Sequence, residues 1–177
     1  MNTPKETGRK PYCTFRLGRR LFGVDVLDVK EINTERELTP IHHAPDEVMG
    51  YVNLRGSIHL VLDMRLMLGM ERLEIGPDTR LMVFKPSAGD SFGVMVDAIG
   101  DIVDVDEDLV EERRSRDEGL PEGAERRQLG ADFVCGVCRL DEELLMVVNS
   151  RQLLPAIEKI MTMQGAATTT LSASPER

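Results

Sequence analysis

G-Y-V-N-L-R-G-S-I-H-L-V-L-D, residues Gly50 to Asp63, reads as two short strands around a tight reversal. Val52 and Leu54 alternate with Asn53 and Arg55, and Ile58, Leu60 and Leu62 alternate with His59 and Val61, the period-two pattern of extended chain. Gly56 supplies the backbone freedom for the reversal. Arg55 then stands at the end of a paired strand, where the ladder holds it and its planar donors still reach solvent to grip a carboxylate or a partner's carbonyls. Taken alone, an arginine beside a turn is a solvated charge.

Outward from this hairpin the chain continues in short strands. Tyr12 to Leu17 and Leu21 to Val26 flank a turn at Gly18-Arg19-Arg20, a brief helical turn is expected over Leu27 to Glu31, and Ile32 to Ile41 reads as extended. Asp63 opens a short amphipathic helix that Gly69 ends. Arg80 to Lys85 and Ser91 to Ile99 read as a hairpin, Asp101 to Val105 as a further strand, and Ala131 to Leu140 with Leu144 to Asn149 as another pair. A final helix is expected from Ser150, as its N-cap, to Met161. Short strands without long intervening helices point to an all-β barrel or sandwich.

Composition sets outer limits. The chain has 177 residues, enough for one globular domain or two small barrels sharing a core. Lys and Arg number 22 against 31 Asp and Glu, a formal charge of -9, which disfavours nucleic acid and anionic membrane surfaces as partners. There is no Trp and ten Met, so aliphatic side chains must fill the core. Residues 1–11 and 161–177 are polar or of low complexity and are expected to be disordered. In residues 106–127, fourteen of twenty-two are charged, so a loop is expected over 106–130. No apolar stretch near the N-terminus suits a signal peptide, and no run approaches the roughly 20 apolar residues of a spanning helix. With three cysteines, an odd number, the chain is expected to be cytoplasmic, with no direct membrane insertion.

The ordered set of segments resembles the CheW-like family, adaptors of bacterial chemosensory arrays. It comprises Y-C-T-F-R-L at Tyr12, F-G-V-D-V at Phe22, V-K-E-I at Val29 and T-P-I-H-H-A-P at Thr39. It continues with G-Y-V-N-L-R-G at Gly50, L-D-M-R at Leu62, F-G-V-M-V-D-A-I at Phe92 and D-F-V-C-G-V at Asp132. The resemblance runs from Tyr12 to about Leu154. It implies two intertwined five-stranded SH3-like barrels over residues 12–160, divided near 12–75 and 76–149 with strand exchange, and a short C-terminal helix. It implies no enzymatic activity and no cofactor. The partners it implies are the regulatory domain of a CheA-type histidine kinase and the signalling tip of methyl-accepting chemoreceptors, with the protein placed at membrane-associated arrays. Arg55 and Glu31 match positions that the family finds functionally sensitive, and Val29, Gly50 and Gly56 match neighbouring contact positions. Core packing accounts equally for Val29, and backbone conformation for the glycines. Glu31 on its own is a solvated charge, and a pairing with Arg55 is what sets it apart. Leu60 replaces the family's usual proline, and Asn149 stands where an aspartate often closes the last strand.

The rival reading is a thiol-disulfide or metal-binding protein using Cys135 and Cys138 in C-G-V-C. In an extended strand those side chains point to opposite faces unless a bulge at Gly136 intervenes, so a buried structural role is expected. No second C-x-x-C accompanies them to complete a zinc site with His42, His43 or His59, and adjacent His42 and His43 in a strand diverge. Asp104, Asp106 and Asp108 imitate a calcium loop, but Leu109 occupies its glycine position and Ser115 its closing glutamate.

Overall fold

The computed structural model describes residues 8–113 and 132–170, the side chains of 166–170 excepted. Among the described residues, eleven strands form two sheets. The first half of the chain supplies β1 (Arg9–Leu17), β2 (Arg20–Asp25), β3 (Val29–Asn33), β4 (Val48–Leu54), β5 (Ser57–Asp63) and the one-turn helix α1 (Met64–Met67). The second half supplies β6 (Arg80–Phe84), β7 (Phe92–Val96), β8 (Ala98–Asp106), β9 (Glu111–Glu112), β10 (Val134–Leu140), β11 (Glu143–Val148) and α2 (Leu153–Thr170). One sheet runs β8-β1-β2-β11-β10-β9 and the other β3-β6-β7-β5-β4. The fold is all-β with a C-terminal helix, as the resemblance implies.

The division at residue 75 does not follow the barrels. β1 and β2 pair with strands from the end of the chain, and β3 to β7 form the second sheet, so the polypeptide crosses between sheets twice. The first crossing is a single 3-10 turn, Val26–Asp28, placed earlier than the helical turn expected over Leu27 to Glu31. The second is the lone residue Asp97 between β7 and β8.

Three apolar clusters explain why this exchange is stable. Val52, Leu54, Val61, Leu73, Leu81, Val83 and Met95 fill one barrel. Tyr12, Leu21, Val105, Cys138, Leu145 and Val147 fill the other. Between them lies a larger shared seam with Phe15, Phe22, Phe84 and Phe92, closed by Leu153 and Ile157 of α2. The rings stack in pairs, Phe15 on Phe22 at 5.6 Å and Phe84 on Phe92 at 4.9 Å between centroids, so the scarce aromatics are concentrated at the seam.

Several boundaries depart from the sequence reading. β1 begins at Arg9, inside the stretch expected to be disordered, because Arg9, Lys10 and Pro11 pair with β8. Pro11 is tolerated because pairing with β2 starts only at Tyr12, leaving the strand a free edge there. The described part of the charged stretch holds regular structure: β8 runs to Asp106, and β9 adds itself to Gly136 and Val137. An edge strand needs only backbone bonds, so Glu111 and Glu112 keep their charges in water while pairing. This makes the first sheet six-stranded rather than five. Residues 114–130 of the expected loop lie outside the described residues, as do 1–7 and 171–177 of the expected disordered ends. The final helix passes Met161 and continues to Thr170, since Gln164 and the alanines that follow Gly165 are good helix formers. Its approach is capped by Asn149, whose side chain accepts from the Arg151 N–H at 3.2 Å. Ser150 instead donates its hydroxyl to Asp28 at 2.8 Å. His42 and His43 lie in a turn, His43 at φ 61°, because regular pairing of this segment ends at Asn33.

Candidate functional site

The two-residue reversal between β4 and β5 leaves Leu54 opposite Ser57, with Arg55 and Gly56 as its only central residues. Both take left-handed backbone angles, φ 53° and 88°, so Arg55 is part of the turn rather than the last residue of the strand. Asn53 steadies the turn by accepting from the Gly56 N–H at 2.9 Å. That geometry aims the arginine side chain off the hairpin tip. Its Nη2 forms an ion pair with Oε2 of Glu31 on β3, across the two ends of the second sheet's strand order. Arg55 is 76% exposed and Glu31 23%. A hydrogen bond from Asn33 and the Arg55 charge hold the Glu31 carboxyl below its ordinary range.

Lys30 joins the same site through a bulge. Val29 pairs with Phe84 and Glu31 with Val83, so Lys30 is the extra residue of the ladder, and consecutive Lys30 and Glu31 both line one groove. Leu54, Arg55, Ser57, His59 and Val83 complete its lining. His59 enters because the tight turn sets the register: Leu54 faces Ser57, Asn53 faces Ile58 and buried Val52 faces His59. Ile58 is therefore 53% exposed, while His59 is only 6% exposed. Further along β5, Val61 joins the barrel core and Leu62 the seam, so the strand is buried on both faces there.

Of the five residues singled out from sequence, the structure brings Arg55 and Glu31 together. Val29 is half-buried and packs against the seam. Gly50, at φ 143°, lies where an added Cβ would collide with the Thr39 carbonyl, which accepts from the Tyr51 N–H at 2.8 Å. Gly56 meets nothing within 4 Å and serves the turn by its backbone alone. Lys30 and His59 were missed as groove residues. The bulge leaves no sequence signal, whereas the His59 register follows from counting back across a two-residue turn.

Cys135 and Cys138 lie on opposite sides of β10, Cys135 exposed and Cys138 buried in the barrel core. The expectation that both are buried fails for Cys135. A bulge does occur between Val134 and Gly136, with Cys135 as its extra residue, yet the two sulfurs still lie on opposite sides of the strand. Burial pushes the Cys138 thiol up, and partial loss of water around the sulfur does the same for Cys135, both away from the thiolate that redox and metal chemistry needs. Among the described residues, no three His, Cys, Asp or Glu side chains converge as a metal site. The thiol and metal reading is not supported.

Two SH3-like barrels fused along one seam, with a charged groove at the mouth of the second, define a double-barrel scaffold. A CheW-like domain matches residues 11–158, and the chain belongs to that family. The chemotaxis protein CheW of Klebsiella aerogenes is 29% identical over 153 residues, 86% of this chain and 86% of that protein. The chemotaxis protein CheW of Rhizobium meliloti is 29% identical over 154 residues, 86% of this chain and 92% of its relative. The crystal structure of the scaffolding protein TtCheW from Thermoanaerobacter tengcongensis superposes with a TM-score of 0.65 at 25% identity, over 80% of this chain and 89% of that one. Among the described residues, no helix is long and apolar enough to cross a membrane.

Proposed function

We propose that this protein is a non-enzymatic adaptor coupling methyl-accepting chemoreceptors to a CheA-type histidine kinase in cytoplasmic arrays at the membrane. One barrel face pairs with the matching barrel of the kinase's regulatory domain, and the groove at Arg55 and Glu31 takes a helix of the receptor's signalling tip. The observation that carries the site is the backbone of Arg55. A tight turn of this hand favours Asn or Gly at its first central position, and Arg55 sits there at φ 53°. Such a conformation costs roughly 1 to 2 kcal/mol, while the exposed ion pair with Glu31 returns about 1 kcal/mol at most. Local stability does not account for arginine at this position; recognition of a partner does. Val29 and the two glycines then shape the surface around the groove rather than touching the partner through side-chain chemistry.

The test is reconstitution of the purified protein with a receptor signalling-tip fragment and the CheA-type kinase of the same genome. Receptor-dependent stimulation of kinase autophosphorylation is expected only when all three are present. Stimulation that is equal without this protein contradicts the reading.

A further inference from the structure

Six polar or charged residues are buried among those described: Thr14, Asp28, His59, Asp63, Thr79 and Ser150. Five are satisfied within the chain. Thr14 donates to the Asp101 carbonyl, Asp28 accepts from Ser150 and Arg151, Asp63 accepts from the Leu73 N–H, and Thr79 accepts from the Gly76 N–H. His59 is the exception. Its Nδ1 is enclosed without a hydrogen-bond partner, and its ring lines the groove beneath Arg55.

The enclosed Nδ1 goes unpaired in either tautomer, and only the one with its proton on Nε2 turns an N–H donor away from the enclosed side; we take this tautomer. An N–H donor is thereby offered to the groove. The charged groups around it are Lys30 and Glu31 on β3, Arg55 on the hairpin turn and Asp90 in the β6–β7 loop. Lys30 and Arg55 are balanced in charge by Glu31 and Asp90, but Arg55 gives only Nη2 to Glu31 and keeps the rest of its 76% exposed guanidinium toward water, so the groove presents N–H donors from Lys30, Arg55 and the imidazole, with Leu54 and Val83 as apolar walls.

We propose that His59 is a specificity-determining residue of this groove, donating from Nε2 to the carboxylate of a glutamate or aspartate side chain that the receptor tip seats between Lys30 and Arg55. The inference rests on the adaptor reading above and adds the chemical class of the anchoring side chain. An exposed carboxylate finds here the Lys30 ammonium, the guanidinium donors that Arg55 does not give to Glu31, and the imidazole N–H, and charge-assisted hydrogen bonds of this kind are stronger than neutral ones.

The experiment titrates the full-length protein with the purified receptor signalling-tip fragment and compares wild type, His59→Leu and His59→Gln. Glutamine places an N–H where Nε2 stands, whereas leucine fills the space and offers no donor. His59→Leu is expected to fold, with a melting temperature at or above wild type because the enclosed orphan nitrogen is gone, and to bind about tenfold more weakly. His59→Gln is expected to stay within about threefold of wild type. Changing one acidic residue of the tip to its amide should weaken wild type and add little to His59→Leu. The ring nitrogen signals of His59 in the wild-type protein, followed by NMR, should shift on saturation with the tip fragment, a readout independent of how the variants fold. Unmoved ring signals, or His59→Leu binding as well as wild type, overturn the His59 inference and leave the adaptor reading standing. Wild-type protein that binds no tip fragment overturns both.

Discussion

At the scale of single residues, Arg55 and the glycines around it separate conformation from recognition. Replacing Arg55 by Asn suits the left-handed turn better, so the melting temperature should hold or rise while receptor-kinase coupling falls by an amount equivalent to about 1 to 3 kcal/mol of assembly energy. A melting curve and the kinase assay on the same preparation decide it: loss of the fold would make Arg55 a strut, and unchanged coupling would make it a solvated charge. The glycines should differ from each other. Gly50→Ala drives a Cβ into the Thr39 carbonyl and should cost about 3 kcal/mol or more in denaturant titration. Gly56→Ala meets open space and should cost only the roughly 1 to 2 kcal/mol of its backbone angle. Equal costs would show that the close approach of Thr39 and β4 does not hold in solution. The pairing of Arg55 with Glu31 was legible in the sequence only through the family's motifs, because the two positions are far apart in the chain. His59 was legible by arithmetic, since a two-residue turn at Arg55-Gly56 fixes Val52 opposite it. Alternation alone hid this, because apolar residues occupy both faces of β5.

At the scale of elements, an aspartate pins each crossing between the sheets. Asp97 takes a bidentate grip from Arg65 of α1, Nε at 2.8 Å, and accepts from the Gly18 N–H of the β1–β2 turn at 2.7 Å. Asp28 accepts from the Ser150 hydroxyl at 2.8 Å and from Arg151 at 3.1 Å, tying the first crossing to the approach of α2. Burial by itself would raise both carboxyls, but these donors outweigh it and hold both below their ordinary 3.8. The folded state therefore binds fewer protons than the unfolded chain in this range. The stability contributed is fully present above pH 3.8 and is lost as pH falls through the depressed folded values. Asp97→Asn keeps the shape but loses the charge, so its stability should be lower at neutral pH by about 2 kcal/mol and should fall less steeply than wild type on acidification. Parallel acid titrations followed by circular dichroism test this, and identical slopes would remove Asp97 from the account. The L-D-M-R segment was legible as the start of a short helix at Asp63, which the structure shows capping it by accepting from the Arg65 and Leu66 N–H groups. The reach of Arg65 to Asp97 was not, because it depends on where the second crossing falls. The order of β9 was hidden as well, since composition reports what a segment can bury and not which backbone it can pair with.

At the scale of the whole molecule, strand exchange makes the two barrels one cooperative unit. The shared seam draws on β1, β2, β5 to β7, β11 and α2, so neither barrel can lose its fold without exposing the other's packing. Urea unfolding followed by circular dichroism and by hydrogen exchange in the two barrel cores should show coincident transitions, and separated midpoints would mean that the seam does not couple them. The all-β class was legible from the regular short strands, and the double barrel only through the resemblance carried by the ordered motifs. The resemblance implied an exchange of strands without naming them, and that β1 and β2 join strands from the far end of the chain was not legible, since no local pattern says which distant strand completes a sheet. An adaptor of this kind must bind its kinase, and calorimetric titration of the intact protein with the regulatory domain of the CheA-type kinase from the same genome measures that binding. Saturable one-to-one binding is expected, and it should persist in the His59→Leu variant, whose change lies in the groove at Arg55 and Glu31. Absence of binding at high micromolar concentration, with the protein folded by circular dichroism, would contradict the adaptor reading.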